Sequence, residues 1–169
     1  MIVEDALDVD IAGFTPPDAQ HVLGRFTHWN GDAARKGASL FARRKDGYGN
    51  PLAPDPETIS GRVVNRLIRL SAERVLETAL CEDGLDGAAT ALSPLAQRAL
   101  DRKPGIAQVA LSLDRPVIGL GAGAGACYPG AGDLLATRAI IPDHADVANA
   151  VGAVVGQVRV TVSAEIVQP

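Results

Sequence analysis

The segment from Arg115 to Gly156 constrains the fold of this chain more than any other part of the sequence. Its pattern of apolar residues and glycines predicts a strand, a glycine turn, a short helix, a second strand and a further helix. Four alternating glycines follow the first apolar run: Gly119, Gly121, Gly123 and Gly125. A glycine turn at the carboxyl end of a buried strand is where open α/β sheets bind nucleotides, because the backbone there is open to a ligand. We therefore expect an α/β fold with its ligand site at this turn.

The whole chain divides into a helical part, residues 1–104, and an α/β part, residues 105–169, which together are expected to form one domain of a longer protein. Helix signals in the first part predict four helices, at 15–24, 32–44, 55–80 and 94–102. Residues 45–56 are predicted to form a Gly/Pro loop and residues 82–94 a linker. Strands are predicted at 106–113, 117–120, 138–141 and 157–167.

Capping residues and apolar faces add detail to these helices. Four of the helices have an expected N-terminal cap: Thr15 (with Asp18 completing a capping box), Asp32, Asp55 and Asp143. The long helix at 55–80 is expected to turn Val63, Leu67 and Ile68 into the core. The helix at 145–155 is almost wholly apolar, so we expect it to be buried.

Composition excludes several classes of function. The net charge of −4 disfavours a nucleic-acid or membrane surface, because both kinds of surface need dense basic patches. The acidic N-terminus does not resemble a signal peptide, and no apolar run approaches the length of a membrane span. Cys81 and Cys127 lack metal-ligand spacing, which favours reduced thiols in a cytoplasmic protein.

Two interpretations of the glycine turn come from the residues alone. The glycines can serve packing at a tight corner between strand and helix. Alternatively, Gly119 to Ala124 fits the dinucleotide fingerprint G-x-G-x-x-A, with Asp143 about 20 residues further on as a ribose-binding acid. Against the fingerprint, Pro129, Gly130 and Gly132 are expected to interrupt the following helix, and Asp143 already has a role as a cap.

Two longer motifs resemble the hydantoinase A/5-oxoprolinase family. The family's GFTPTDA-HVLG stretch matches residues 13–24, with Pro17 in place of the second threonine, and its IPEHADVANAVGA stretch matches residues 141–153, with Asp143 in place of glutamate. The resemblance implies an ATP-dependent amidohydrolase that opens a cyclic amide such as a hydantoin or 5-oxoproline. It also implies an actin-like (ribonuclease H-like) ATPase fold, as in sugar kinases and Hsp70, in which two lobes hold ATP with magnesium. This chain would be the carboxyl-side lobe, a mixed sheet flanked by helices.

The resemblance also implies a set of binding residues. Gly119, Gly121 and Gly123 are similar to the turn against which adenosine lies. Asn149 is a polar residue on the apolar helix at 145–155, and we expect it to bond either neighbouring backbone or the ligand. The resemblance does not extend to catalytic residues, which stay unassigned.

The sequence departs from the family in lacking a phosphate loop. It contains neither DxGGT nor G-x-x-x-x-G-K-[ST], and it ends directly after a predicted strand, where family members continue. We therefore expect a second-lobe fragment that is inactive alone and acts with a companion hydantoinase subunit or an N-terminal lobe. Whether this chain itself binds ATP stays open. The alternative is a non-enzymatic interaction module or subunit with a vestigial nucleotide cleft.

Other side chains offer weaker candidates for chemistry. His21 lies one turn after Asp18, and the pair is expected to be a solvent-exposed surface pair rather than a metal site or a base. His144 follows a helix cap and is expected to be partly exposed. Cys127 is expected to be a buried, inert thiol, because no basic residue lies nearby in sequence.

Overall fold

The computed structural model describes residues 13–156. Seven helices, two short strands and one 3₁₀ turn are present in that range. In chain order they are α1 (Pro16–Val22), α2 (Gly31–Ala42), α3 (Pro56–Glu82), α4 (Gly87–Ala91), α5 (Pro94–Leu100), β1 (Val117–Ile118), α6 (Ala124–Leu134), β2 (Ala139–Ile140), the 3₁₀ turn (Ala145–Val147) and α7 (Ala148–Val155).

The first two helices begin at local capping signals. The backbone N–H of Thr15 donates to Asp18 Oδ2 at 3.0 Å, and Pro16 opens α1, as the capping-box pattern predicts. The prediction that Asp32 caps α2 is wrong. The cap is Asn30, whose side-chain oxygen accepts from the Ala33 amide at 3.0 Å, and asparagine satisfies a free helix amide as well as aspartate does.

The long helix α3 is the central element of the described residues. Asp55 caps it by accepting from the Thr58 amide at 2.6 Å, and the helix continues to Glu82, two residues beyond the predicted end. Of the three residues expected in the core, Val63 is buried, whereas Leu67 and Ile68 are only half-buried. The loop before α3 lies where the sequence predicts it and is closed by an antiparallel bridge between Lys45 and Pro51.

Two predictions between α3 and β1 are wrong. The expected linker contains α4, which is capped by Asp86. Residues 106–113 do not form a strand. The alternating apolar side chains of this segment are partly buried although its backbone pairs with no described strand: Leu111 and Leu113 pack against a core cluster. The Leu113 N–H donates to the Leu135 carbonyl at 3.1 Å.

The predicted order of strand, glycine turn, helix and strand is confirmed, with strands shorter than expected. β1 and β2 pair in parallel, with Val117 opposite Ala139 and Ile118 opposite Ile140, and α6 forms the crossover. Within residues 13–156 the sheet consists of these two strands. Pro129 does not interrupt α6, which continues through it to Leu134 and forgoes the hydrogen bond that the proline cannot donate. The described fold is thus a mainly helical α/β structure.

The last helix differs most from its prediction. The expectation that it is buried is wrong: Val151 is 51% exposed and Val154 is 85% exposed. Within the described residues, α7 contacts chiefly the 3₁₀ turn that precedes it, so its apolar side chains have no neighbouring layer to pack against. Asp143 does not cap this helix; His144, with φ of +62°, precedes the 3₁₀ turn. The strand predicted at 157–167 lies outside the described residues.

The helical and α/β parts share a core in the described structure. α3 packs along α6, and one cluster of buried residues draws on α3, α4, α5 and α6: Ala72, Leu76, Ala91, Ala96, Leu100, Ala131 and Leu135. A second cluster joins α1, α2 and the start of α3 around Phe41 and Ile59. The glycine turn is therefore carried by α6, which packs on α3, the longest helix among the described residues.

Candidate functional site

The glycine turn lies between the end of β1 and the start of α6, and backbone hydrogen bonds fix it on two sides. The Gly119 N–H donates to the Ile140 carbonyl at 2.9 Å, which ties the turn to β2. The Gly121 N–H donates to the Ala145 carbonyl at 2.7 Å, which ties it to the 3₁₀ turn. The Gly121 carbonyl accepts from Ala124 at 3.0 Å. These bonds give the turn one defined shape before any ligand is present.

The three glycines expected to bind a ligand have different local roles. Gly119 is buried, and a Cβ there would lie 2.5 Å from Ile141 Cδ1 and 2.7 Å from Tyr128 Cδ2, so packing alone requires glycine. Gly121 has φ of +103°, which L side chains rarely adopt. Gly123 has an ordinary φ of −92°, and nothing lies within 4 Å of the position that its Cβ would occupy. Gly123 is therefore the position where glycine is not required by the fold itself.

The outer side of the turn carries backbone amides that are available to a ligand. Among residues 13–156, the N–H groups of Ala122, Gly123 and Gly125 donate to no acceptor. Gly125 lies in the first turn of α6, and Gly123 is the N-cap of that helix. The first amides of a helix have no partner within the helix and can bond polar groups of a ligand. Ala122 directly precedes the cap. Ala122, Gly123 and Gly125 are all exposed. The turn thus combines open space with free hydrogen-bond donors.

Asn149 lies in the first turn of α7, shortly after Ala145, whose carbonyl bonds the glycine turn. Its side chain is exposed, and no hydrogen bond is formed by it within the described structure. The expectation that Asn149 needs a partner assumed a buried helix, and the exposure of α7 removes that need because water can solvate the amide. Asn149 is accessible to a ligand or to a partner chain.

Two surface clefts lie away from the glycines. A cleft of about 980 Å³ separates the carboxyl half of α3 from residues 112–117 and is also lined by Tyr128. A smaller cleft of about 520 Å³ is lined by residues from the start of the described chain and from α2, including Phe14, Trp29 and Phe41. Neither cleft is lined by Gly119, Gly121 or Gly123.

His21 is not the solvent-exposed partner of Asp18 that the sequence predicts. The imidazole is only 8% exposed, and both of its nitrogens contact backbone: Nδ1 lies 2.8 Å from the Pro17 carbonyl oxygen, and Nε2 accepts from the Trp29 N–H at 2.8 Å. Asp18 is instead used in the capping box with Thr15. Helical spacing places the two side chains one turn apart, but the cap and the Trp29 segment determine their partners.

The remaining candidates are structural. Cys127 is buried, as predicted, with its Sγ 3.1 Å from Ser71 Oγ. The carboxyl groups with shifted pKa values belong to a cap and to ion pairs rather than to the turn. Hydrogen bonds from Thr58 lower the pKa of Asp55, and a hydrogen bond from Lys103 lowers that of Asp101. Neither shift indicates a general acid or base near the glycines.

A metal site built from protein side chains alone requires several ligands grouped together. Between residues 13 and 156, no three His, Cys, Asp or Glu side chains are grouped so that they could hold a metal. In that same range no helix is both long and apolar enough to cross a bilayer. Comparison of the chain with protein-family models, with curated proteins and with solved structures finds no match.

Proposed function

We propose that this chain is the nucleotide-binding lobe of an ATP-dependent cyclic-amide hydrolase of the hydantoinase/5-oxoprolinase type, with an actin-like fold. One observation carries the proposal: a fixed glycine turn at the carboxyl end of a parallel strand, with open space at Gly121 and Gly123. Turns in this position are the usual nucleotide sites of α/β folds. The choice of family is supported by the motifs at residues 13–24 and 141–153, which resemble stretches of hydantoinase A/5-oxoprolinase proteins.

The turn would hold the adenosine end of ATP. The absence of side chains at Gly121 and Gly123 leaves room for a planar base, and the free amides of Ala122 and Gly123 can donate to its polar edges. Because the turn is already fixed by its bonds to Ile140 and Ala145, little ordering is needed when the nucleotide binds. Asn149 is a further candidate contact. It is exposed and lies four residues after Ala145, whose carbonyl accepts from the Gly121 N–H.

Catalysis would require a second chain or lobe. ATP bound in the complete enzyme supplies the phosphoryl group that activates the amide carbonyl for attack by water, and such chemistry depends on groups that position phosphates and metal. This sequence has no phosphate loop, and its described residues contain no group of three His, Cys, Asp or Glu side chains that could hold a metal. We therefore assign phosphates and magnesium to a companion hydantoinase subunit or an N-terminal lobe, in a cytoplasmic enzyme.

Exposed apolar side chains near the turn support a role for a partner. Ile118 and Leu120 flank the first glycine and are both more than half exposed, and the valines of α7 are exposed as well. Exposed apolar side chains mark interaction sites where they form a contiguous patch. The same observation favours the second candidate function, a non-enzymatic interaction module whose nucleotide site is vestigial.

Nucleotide binding separates these functions. The chain, alone and joined to a family phosphate-binding lobe, is titrated calorimetrically with ATP and with NAD. The proposal predicts ATP binding that strengthens in the joined protein, and ATP hydrolysis only there. Preference for NAD would instead support the dinucleotide fingerprint, for which Asp143 after β2 is the expected ribose ligand. Absence of ATP binding in a folded joined protein would leave the interaction module.

A further inference from the structure

We propose that His21 is a proton-sensitive latch, meaning a side chain whose protonation state decides whether a neighbouring segment stays attached. The neutral imidazole holds Trp29, in the segment of residues 23–30, and protonation of the imidazole releases Trp29 from His21. The inference is independent of the proposed nucleotide site. It rests on the two backbone groups that the imidazole contacts and on the aromatic rings that enclose it.

The hydrogen bonds of His21 define its protonation state. The Pro17 carbonyl oxygen, 2.8 Å from Nδ1, can only accept a hydrogen bond, so Nδ1 carries the proton. The Trp29 N–H, 2.8 Å from Nε2, can only donate, so Nε2 carries none. Both bonds exist together only in the neutral imidazole. A second proton, on Nε2, would face the Trp29 N–H and turn that attraction into repulsion.

Two aromatic rings pack against His21. His21 stacks on the Trp29 indole, with ring centroids 5.5 Å apart and planes 11° apart, and meets the edge of Phe26 at 4.8 Å. An aromatic face attracts a cation, but it cannot accept the Nε2 proton in the plane of the imidazole. The His21 residue is 8% exposed, whereas Trp29 is 61% exposed.

Within the described residues, charged side chains on four elements surround the His21 site. On α1, Asp18 lies three residues before His21 and accepts two hydrogen bonds from Thr15. The segment that follows α1 carries Arg25 and His28, and both residues are exposed. The buried face of α2 is apolar, formed by Ala34, Ala38, Phe41 and Ala42, and its Asp32 and Arg35 are exposed. The α3 residues packed near α1 are Val63, Val64 and Ile68, and the α3 charges in those turns are the cations Arg62 and Arg66.

Release of Trp29 would alter the smaller cleft. Trp29 and Asn30 both line that cleft, and Asn30 caps α2. The start of the segment is held separately, because the Arg25 N–H donates to the Gln20 carbonyl at 2.9 Å. Opening would therefore be confined to the stretch near Trp29. Protonation of His21 on acidification would therefore change one wall of this cleft.

The chain contains a single tryptophan, so its fluorescence reports this site alone. We would titrate the full chain from pH 8 to pH 4.5, following Trp29 emission and the ¹H–¹⁵N resonances of Trp29 and His21. The expected result is one common midpoint for His21, for the Trp29 amide shift and for the emission change, with unchanged far-UV circular dichroism. A Trp29 amide that does not shift, whether or not His21 titrates, would overturn the latch.

Two variants separate His21 from its neighbours. His21→Gln keeps an acceptor for the Trp29 N–H but does not titrate, so the emission should become independent of pH while the fold is retained. His28→Gln removes the exposed histidine 4.7 Å from Phe26 and should leave the response intact. A pH response that survives His21→Gln, or that disappears in His28→Gln, would contradict the proposal. Should His21→Gln fail to fold, the resonance titration of the native chain decides alone.

Discussion

Replacement of Gly130 by alanine tests the packing that joins the helical part to the glycine turn. A Cβ at Gly130 in α6 would lie 2.8 Å from Ile68 Cδ1 and 3.0 Å from Ile68 Cγ2 on α3. Isoleucine in a helix has one strongly preferred χ1 rotamer, so Ile68 cannot simply swing aside. Overpacking of this kind costs about 1–3 kcal/mol. Alanine returns about 0.5–1 kcal/mol by stiffening the helix. We expect a net loss of about 1 kcal/mol in the free energy of unfolding.

Urea denaturation followed by circular dichroism measures this loss, and two variants control it. Gly61→Ala lies in α3, where nothing is within 4 Å of the new Cβ, so it should gain about 0.5–1 kcal/mol. Ile68→Val removes Cδ1, the nearest contact, and should cost less in the Gly130→Ala background than in the native protein. If Gly130→Ala stabilises the protein as much as Gly61→Ala does, α6 does not pack against α3 at this distance.

Three further predictions concern the core and the ion pairs. Gly87→Ala should cost more than the overpacking of a side chain, because the new Cβ would overlap the backbone carbonyl oxygen of Glu77; denaturation of the variant measures the loss. Leu100→Ala should lower the free energy of unfolding by about 2–5 kcal/mol, since Leu100 is 1% exposed, and a loss below about 0.5 kcal/mol would show that it is a surface residue. The hydrogen bond from Lys103 lowers the pKa of Asp101, so its stabilisation is present above the ordinary aspartate pKa and is lost as the pH falls through the folded value. The stability difference between the native protein and Asp101→Asn should therefore shrink below about pH 4, as measured by melting temperatures across pH.

The sequence predicts elements whose signals are local. The start of α1 depends on Thr15 and Asp18, and the start of α3 on Asp55, and each cap uses an amide within three residues. The order of strand, glycine turn and helix is likewise predicted by neighbouring residues, namely a short apolar run followed by alternating glycines. By contrast, α4 has five residues, too few for apolar periodicity, and its place is set by contact with α3. The packing of so short a helix against α3 leaves no periodic pattern in the sequence.

The candidate site was predictable in position but not in the role of each glycine. Spacing alone does not distinguish Gly119, which is required by packing against Tyr128, from Gly123, which is open. The burial of His21 also depends on Trp29, eight residues away in a segment without regular structure. The exposure of α7 depends on what lies beside it, and an apolar pattern shows only that a surface favours being covered.

The central claim is that adenosine lies against the glycine turn, and Gly123 tests it most directly. Gly121 is a poor probe, because any side chain at φ of +103° strains the backbone and confuses lost folding with lost binding. Gly123→Leu adds a side chain into open space at an ordinary φ. Gly47→Leu, in an open loop position far along the chain, is the matched control.

The measurement is the Kd for ATP and the melting temperature of each variant in the chain joined to a phosphate-binding lobe from the hydantoinase/5-oxoprolinase family. We predict that Gly123→Leu weakens ATP binding by about tenfold or more, equivalent to at least about 1.4 kcal/mol, with a melting temperature close to that of Gly47→Leu. Gly47→Leu should bind ATP as the native protein does. A folded Gly123→Leu protein that binds ATP with unchanged affinity would contradict the claim and leave the glycines as packing residues.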